Sequence, residues 1–196
     1  GNIEMSQSTV IGSATSSMGG VILELSIVLG SIESRDNVKL EKDSYVEGGV
    51  LSSAGGVSLD SSIINTGRGR VSSFKDRLGN VIKVRGDVII KNNSLVTGRI
   101  ITSMGNVEIS QSRISDRAVA LMGAISVNGS SVGVLVEARD DVRIENGSYI
   151  SCGISSSRGK VSLDNSKAMS MIEARGDIKV ERNSHVSREI SSSMGG

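Results

Sequence analysis

The sequence lacks most of the residues on which a compact globular core usually depends. In 196 residues it has no proline, no tryptophan and only three aromatic side chains, Tyr45, Phe74 and Tyr149. Aromatic side chains bury large areas and dominate many cores, so this core has to be built from valine, isoleucine, leucine and small residues. The single cysteine, Cys152, excludes an internal disulfide framework.

The chain also lacks an excess of charge of either sign. It has 22 lysines and arginines against 21 aspartates and glutamates, so its composition gives no electrostatic reason to expect a nucleic-acid partner. No apolar run approaches the roughly 20 residues that a membrane-spanning helix needs. We therefore expect no nucleic-acid binding and no membrane insertion.

What the chain does contain is a serine that recurs at eighteen-residue steps. Around it, apolar and polar residues alternate in short runs, which is the period-2 signature of a strand with one buried face. Such short units cannot bury their own apolar faces, but stacked neighbours cover them and complete their backbone hydrogen bonds. The serines are Ser8, Ser26, Ser44, Ser62, Ser94, Ser112, Ser130, Ser148, Ser166 and Ser184.

This pattern predicts an all-β fold, a parallel β-solenoid with three short strands in each rung of about eighteen residues and about ten rungs over residues 1–196. One inward column holds pairs such as Val21 and Leu23, and another holds pairs such as Ile32 and Ser34. We expect each repeated serine to point inward near a corner, where its hydroxyl can bond to the backbone of a neighbouring rung.

A longer repeat overlies the rungs. Residues 1–104 and 105–194 form two blocks of five rungs, and residues 195–196 align with the start of the chain as the beginning of a further block. Neither end carries a recognisable capping element. We therefore expect the array to continue into a longer rod, or rods of this chain to associate end to end.

The first block contains about fourteen extra residues near positions 67–80, where a short helix or turn around Phe74 is expected to leave the rod. Beside it, four apolar residues occupy outward positions of one strand column: Ile27, Tyr45, Ile63 and Leu95. Either the insertion folds over this apolar stripe, or the stripe is a protein-binding patch with the insertion at its rim. Both alternatives remain open from the sequence.

Two tripeptides match the Arg-Gly-Asp motif of integrin ligands: Arg85-Gly86-Asp87 and Arg175-Gly176-Asp177. The functional interpretation is cell attachment. The structural interpretation is that the same corner also holds Arg35-Asp36-Asn37 in another rung, so the position itself favours arginine, a turn-forming residue and then aspartate or asparagine. A binding tripeptide also needs a projecting loop, whereas this one lies in a tight rung.

The sequence offers no set of residues suited to catalysis or to binding a metal or a cofactor. His185 is the only histidine and has no cysteine pair, second histidine or carboxylate cluster near it in the sequence, so neither a metal site nor a catalytic triad is expected. The glycine pairs stand at corners and are not followed by a phosphate-binding helix. We expect no enzyme activity, no cofactor and no small-molecule substrate.

The strings IEARGDI (172–178), VEARDDV (136–142), ISSSRGKVSL (154–163) and VIKVRGDVII (81–90) resemble the haemagglutinin-type repeats of filamentous bacterial adhesins. That resemblance implies a long, secreted, right-handed β-helix that holds attachment or toxin domains away from the cell. The string GDVIIKNNSLVTGRI (86–100) is similar to the bactofilins, which are cytoskeletal β-helices that polymerise end to end. The left-handed hexapeptide acyltransferases share an eighteen-residue coil, but several rungs here break their strict spacing.

From these observations the chain is expected to be a structural repeat shaft of a bacterial surface or secreted filamentous protein, with a role in adhesion or display. The alternative is a bactofilin-like cytoplasmic filament that polymerises with itself. Expected partners are proteins or further copies of the chain, and the expected location is extracellular or on the cell surface, with the cytoplasm as the alternative.

Overall fold

The protein is an all-β parallel β-solenoid, as the sequence predicts. The structure is a computed structural model that describes residues 1–65 and 81–195, and in these ranges it contains strands and corners but no helix. The expected insertion at 67–80, with its short helix and Phe74, lies outside the described residues. No helix able to cross a membrane occurs in the described ranges.

Thirty strands form three parallel sheets of ten strands, and each rung contributes one strand to every sheet. Sheet A contains β1 (Ile3–Ser6), β4 (Val21–Glu24), β7 (Val38–Glu41), β10 (Val57–Asp60), β13 (Val88–Lys91), β16 (Val107–Ser110), β19 (Ile125–Asn128), β22 (Val142–Glu145), β25 (Val161–Asp164) and β28 (Ile178–Glu181).

Sheet B contains the two-residue strands β2 (Thr9–Val10), β5 (Ile27–Val28), β8 (Tyr45–Val46), β11 (Ile63–Ile64), β14 (Leu95–Val96), β17 (Arg113–Ile114), β20 (Ser131–Val132), β23 (Tyr149–Ile150), β26 (Lys167–Ala168) and β29 (His185–Val186). Sheet C contains β3 (Ala14–Ser16), β6 (Ile32–Ser34), β9 (Val50–Ser52), β12 (Val81–Val84), β15 (Arg99–Thr102), β18 (Ala118–Ala120), β21 (Val136–Ala138), β24 (Ile154–Ser156), β27 (Ile172–Ala174) and β30 (Ile190–Ser192).

Strands of successive rungs stay in register in all three sheets. Val21 pairs with Val38 in sheet A, Ile27 with Tyr45 in sheet B, and Ile32 with Val50 in sheet C. Because neighbouring strands lie about 4.8 Å apart, ten rungs stack into a rod about 45 Å long. The right-handed winding of this rod stays a prediction.

The core runs the length of the rod as one continuous cluster of aliphatic side chains. Leu23, Leu40 and Ile90 of sheet A and Ile32 and Ile100 of sheet C are completely buried, which confirms the inward columns. Burying one such side chain contributes about 1.5–3 kcal/mol, and every rung provides several. The same columns are less buried in the first and last rungs of the stack, which have one neighbour each.

Each rung has three corners, and the lengths of two of them are matched. We name each corner by the two sheets that it joins. The CA corner runs from a strand of sheet C to the sheet A strand of the next rung, and the AB corner runs from sheet A to sheet B within a rung. CA corners have four residues (17–20, 53–56, 103–106, 121–124 and 157–160) or three residues (35–37, 85–87, 139–141 and 175–177). AB corners, between sheet A and the repeated serine, have one residue (Gln7, Leu25, Ser61, Gln111, Gly129 and Asn165) or two (Lys42-Asp43, Asn92-Asn93, Asn146-Gly147 and Arg182-Asn183).

Each three-residue CA corner is followed by a two-residue AB corner, so the serine-to-serine spacing stays constant wherever no residues are inserted. The order of corner lengths is the same in rungs 1–5 as in rungs 6–10. All AB corner residues have left-handed backbone angles, with φ between 39° and 76°. That conformation is least costly for glycine and asparagine, which explains why those residues recur at this corner.

Candidate functional site: the ladders between rungs

The repeated serines form a hydrogen-bonded ladder inside the AB corner. In seven pairs of successive serines, the backbone amide of one serine donates to the hydroxyl of the next at 3.0–3.3 Å, as between Ser112 and Ser130. This confirms the predicted bond between the serine hydroxyl and a neighbouring rung. The structure buries most of these serines, and Ser26, Ser44 and Ser62 are completely buried.

Each serine hydroxyl also donates to the carbonyl of the last strand residue in sheet A. Behind a one-residue corner this carbonyl lies two positions earlier, as in the 2.8 Å bond from Ser26 to Glu24. Behind a two-residue corner it lies three positions earlier, as in the 2.6 Å bond from Ser148 to Glu145. The same polar contact is therefore made in both corner types, and it satisfies groups that burial would otherwise leave unpaired.

Both Arg-Gly-Asp tripeptides lie in three-residue CA corners and contact the rungs on either side. The amide of Gly86 donates to the carbonyl of Gly55 at 2.9 Å, and the Oδ1 atom of Asp87 accepts from the amide of Asn106 at 2.7 Å. The Nε–H of Arg85 is directed at the Sδ atom of Met104 at 3.1 Å. All three residues of the tripeptide thus make contacts within the stack.

The second tripeptide follows the same plan. The amide of Gly176 donates to the carbonyl of Gly159 at 2.9 Å, and the Nε–H of Arg175 lies 2.9 Å from the Sδ atom of Met194. The carboxylate of Asp177 forms an ion pair with Lys160 at 2.7 Å and raises the pKa of that lysine through this hydrogen bond and through its charge. Cell attachment by these tripeptides stays a prediction.

The same side-chain contact recurs where the corner contains no Arg-Gly-Asp sequence. The Oδ1 atom of Asn37 accepts from the amide of Gly56 at 2.8 Å, and the Oδ1 atom of Asp141 accepts from the amide of Lys160 at 2.8 Å. The last residue of this corner is therefore chosen for a short polar side chain that can bond to the next rung. This contact explains why aspartate or asparagine ends the corner.

Four-residue CA corners require glycine at their third position because they lie directly on the corner of the preceding rung. A Cβ atom added to Gly105 would lie 2.3 Å from the carbonyl carbon of Gly86, and one added to Gly159 would lie 2.4 Å from that of Asp140. Real Cβ atoms do not approach backbone atoms this closely. These glycines are thus needed for close stacking rather than for an unusual backbone angle.

Two-residue AB corners carry a side chain that reaches back to the preceding rung. Lys42 pairs with Glu24, and Arg182 with Asp164. In the other two corners of this type asparagine amides do the same: Asn92 donates to Asp60 at 2.8 Å, and Asn146 donates to Asn128 at 3.1 Å. These contacts were not predicted from the sequence, although the extra residue between sheet A and the repeated serine in four rungs is a signal for them.

Two of these contacts shift the pKa of a titratable group. The hydrogen bond from Asn92 lowers the pKa of Asp60 below its usual value of 3.8, and the positive charge of Lys91 acts in the same direction. Similarly, the hydrogen bond and charge of Glu24 raise the pKa of Lys42. The carboxylate of Asp60 and the ammonium group of Lys42 therefore favour their charged forms in the folded stack.

The apolar stripe lies on the outer face of sheet B, where its members are direct neighbours. Ile27 pairs with Tyr45, Tyr45 with Ile63, and Ile63 with Leu95. Ile27 is 40% exposed and Ile63 is 39% exposed, while Tyr45 and Leu95 are half-buried. The side-chain amide of Asn65 donates to the Tyr45 hydroxyl at 3.1 Å. The insertion with Phe74, which is expected beside the stripe, lies outside the described residues. That the insertion covers the stripe and that the stripe binds a protein therefore both stay predictions.

Among residues 1–65 and 81–195, no group of three or more histidine, cysteine, aspartate or glutamate side chains is placed to hold a metal ion. His185 lies on the outer face of sheet B, where its Nε2 atom is 3.2 Å from the Ser187 hydroxyl. Cys152 is an exposed free thiol in a corner between sheets B and C. No family model, curated protein or solved structure matches the chain.

Proposed function

We propose that the chain is a stiff structural shaft of a bacterial surface or secreted filamentous protein, which serves adhesion or display by holding another domain at a distance. The observation that carries this proposal is the unbroken register of three ten-stranded sheets. The backbone hydrogen bonds between rungs run along the rod axis, and bending the rod would have to break them on one side.

Three further features support a role in rigidity. The core is filled by aliphatic side chains in every rung of the cluster, the serine ladder joins rungs inside the AB corner, and the side chains of Asn37, Asp87 and Asp141 join them outside the CA corner. Each set of contacts is made again in successive rungs. Stability in such a stack is the sum of many nearest-neighbour terms.

The resemblance to haemagglutinin-type adhesin repeats supports the surface location and the adhesive role. It rests on the strings at 81–90, 136–142, 154–163 and 172–178. In the folded stack these contain the three-residue corners 85–87, 139–141 and 175–177 and the four-residue corner 157–160. Under this proposal the partner is a protein domain or receptor carried or contacted by the rod, and no chemical step is catalysed.

A self-polymerising cytoskeletal filament of the bactofilin kind is the second candidate. The observation that favours it is the equivalence of the rungs, since every rung presents the same inward columns to its neighbour. Two stacks with matching columns can continue one another through backbone hydrogen bonds and apolar contacts.

Negative-stain electron microscopy of the purified chain across a concentration series tests the proposal. A shaft whose length is fixed by the covalent chain is expected to give separate rods about 45 Å long at every concentration. Filaments that lengthen with concentration and have the width of one rod would instead support the cytoskeletal candidate. Compact round particles would contradict both.

The location is tested separately in the cell that makes the protein. Protease added to intact cells is expected to digest a surface shaft and to leave a cytoplasmic filament untouched. A cytoplasmic marker protein in the same cells serves as the control for lysis. Full protection of the chain would overturn the surface role.

A further inference from the structure

Three of the sulfur-containing side chains lie in the same corner of adjacent rungs. We call Cys152, Met169 and Met171 the sulfur corner. The amide of Met169 donates to the carbonyl of Ile150 at 2.9 Å, which places this corner directly next to the one that contains Cys152. The thiol is exposed, and the two methionines are 38% and 41% exposed. Exposed thioethers in this arrangement do not contribute to the core.

The stacking of rungs brings the only histidine of the chain to this corner. The Ser187 hydroxyl lies 3.6 Å from the Sδ atom of Met169 and 3.2 Å from the Nε2 atom of His185. One hydroxyl therefore contacts a thioether and an imidazole that are supplied by different rungs. Met171 packs against the preceding rung, where its Cγ atom is 3.7 Å from the position of a Cβ atom built on Gly153.

The chemistry of these groups selects one class of cation. Thioethers and imidazoles are neutral ligands suited to soft ions such as Cu(I), whereas magnesium and calcium prefer oxygen ligands. The surrounding charges do not attract cations in general, because Lys167 pairs with His185 across sheet B and Arg188 follows in the same corner, against a single corner carboxylate, Glu189. The site would thus select Cu(I) over magnesium and calcium because its ligands are soft, not because the surrounding charge attracts cations.

We propose that Met169 and His185 form a binding site for a soft monovalent cation, Cu(I) or Ag(I), beside Ser187. The site goes beyond the structural role of the shaft and does not depend on it. Two other exposed methionines differ in a way that matters: the sulfurs of Met104 and Met194 each face an arginine Nε–H, at 3.1 and 2.9 Å. A guanidinium N–H directed at the sulfur places its charge where a cation would bind, whereas the Met169 sulfur contacts the neutral Ser187 hydroxyl.

Calorimetric titration with Ag(I) in chloride-free buffer at pH 7 tests the site. All proteins carry the Cys152→Ser substitution, because a free thiol binds silver by itself. In this background one equivalent of Ag(I) is expected to bind. Adding Met169→Leu or His185→Gln is expected to weaken the affinity at least tenfold, whereas adding Met104→Leu is expected to leave it unchanged. Calcium should give no binding heat.

The imidazole of His185 provides an independent measurement, since a single histidine gives a single set of ring signals in NMR spectra. These signals are expected to shift on addition of Ag(I) and to stop shifting at one equivalent. Circular dichroism checks that the variants, all at exposed positions, keep the β-solenoid. The absence of saturable binding, or affinity that survives Met169→Leu, would overturn the proposal.

Discussion

The contribution of the serine ladder to stability can be tested with a matched control, because an inward serine and an outward serine are adjacent in the chain. Ser130 is 5% exposed; its hydroxyl accepts from the amide of Ser112 at 3.0 Å and donates to the carbonyl of Asn128 at 2.7 Å. The next residue, Ser131, lies on the outer face of the same strand. We therefore compare Ser130→Ala with Ser131→Ala.

Ser130→Ala removes both hydrogen bonds and leaves the amide of Ser112 buried without its partner. An unsatisfied buried group costs about 1–3 kcal/mol, and we expect the free energy of unfolding to fall by roughly that amount. Ser131→Ala removes only a surface hydroxyl, and its effect should stay within about 0.5 kcal/mol. Guanidinium denaturation followed by circular dichroism measures both variants.

A stack of repeats can unfold in steps, so a local measurement is needed as well. Hydrogen exchange at the amide of Ser112 is expected to be faster in Ser130→Ala than in the unmodified chain, and unchanged in Ser131→Ala. If both variants have the same stability and the exchange rate at Ser112 does not change, the hydroxyl ladder does not stabilise the rod and the reasoning is wrong.

Three further predictions test the core, a corner and an ionisable group. Val142→Asp buries an unpaired charge at a position that is 1% exposed, so the melting temperature and the protease resistance of the rod should both fall; unchanged values would show that this column does not face inward. Gly105→Ala places a Cβ atom 2.3 Å from a backbone atom of the preceding rung, so the free energy of unfolding should fall by about 1–3 kcal/mol or more. Its control is Gly12→Ala, where no atom lies within 4 Å of the new Cβ, and this variant should stabilise the chain by about 0.4–1 kcal/mol. Equal effects of the two substitutions in denaturation experiments would contradict the stacking argument. Asn92 lowers the pKa of Asp60 in the folded state. The hydrogen bond between them therefore contributes to the free energy of unfolding above the pKa of the unfolded chain, and this contribution is lost as the pH falls through the pKa of the folded state. Asn92→Gly should therefore lose stability relative to the unmodified chain near pH 6, and this difference should shrink below about pH 4; a difference that does not change with pH in acid denaturation would refute it.

The sequence alone determined the fold class, the number of rungs and the inward columns. It could do so because side chains alternate across a strand and because stacked rungs place equivalent residues one above another. A valine such as Val38 is recognisable as a core residue from its place in the repeat, without knowledge of its neighbours. The inward direction of Ser130 followed in the same way, from its regular spacing with the other serines.

The tertiary structure alone decided which atoms meet between rungs. Asp87 bonds to the amide of Asn106, and Asn92 to Asp60. In each pair a corner lies beside one of different length, and the stacking fixes which residues of the two rungs lie side by side. Sequence spacing identifies strands but does not give the direction of a corner side chain. The eighteen-residue repeat places Ser187 at the position equivalent to Met169. For the same reason, however, the contacts of the Met169 sulfur and the His185 ring with the Ser187 hydroxyl emerged only from the folded stack.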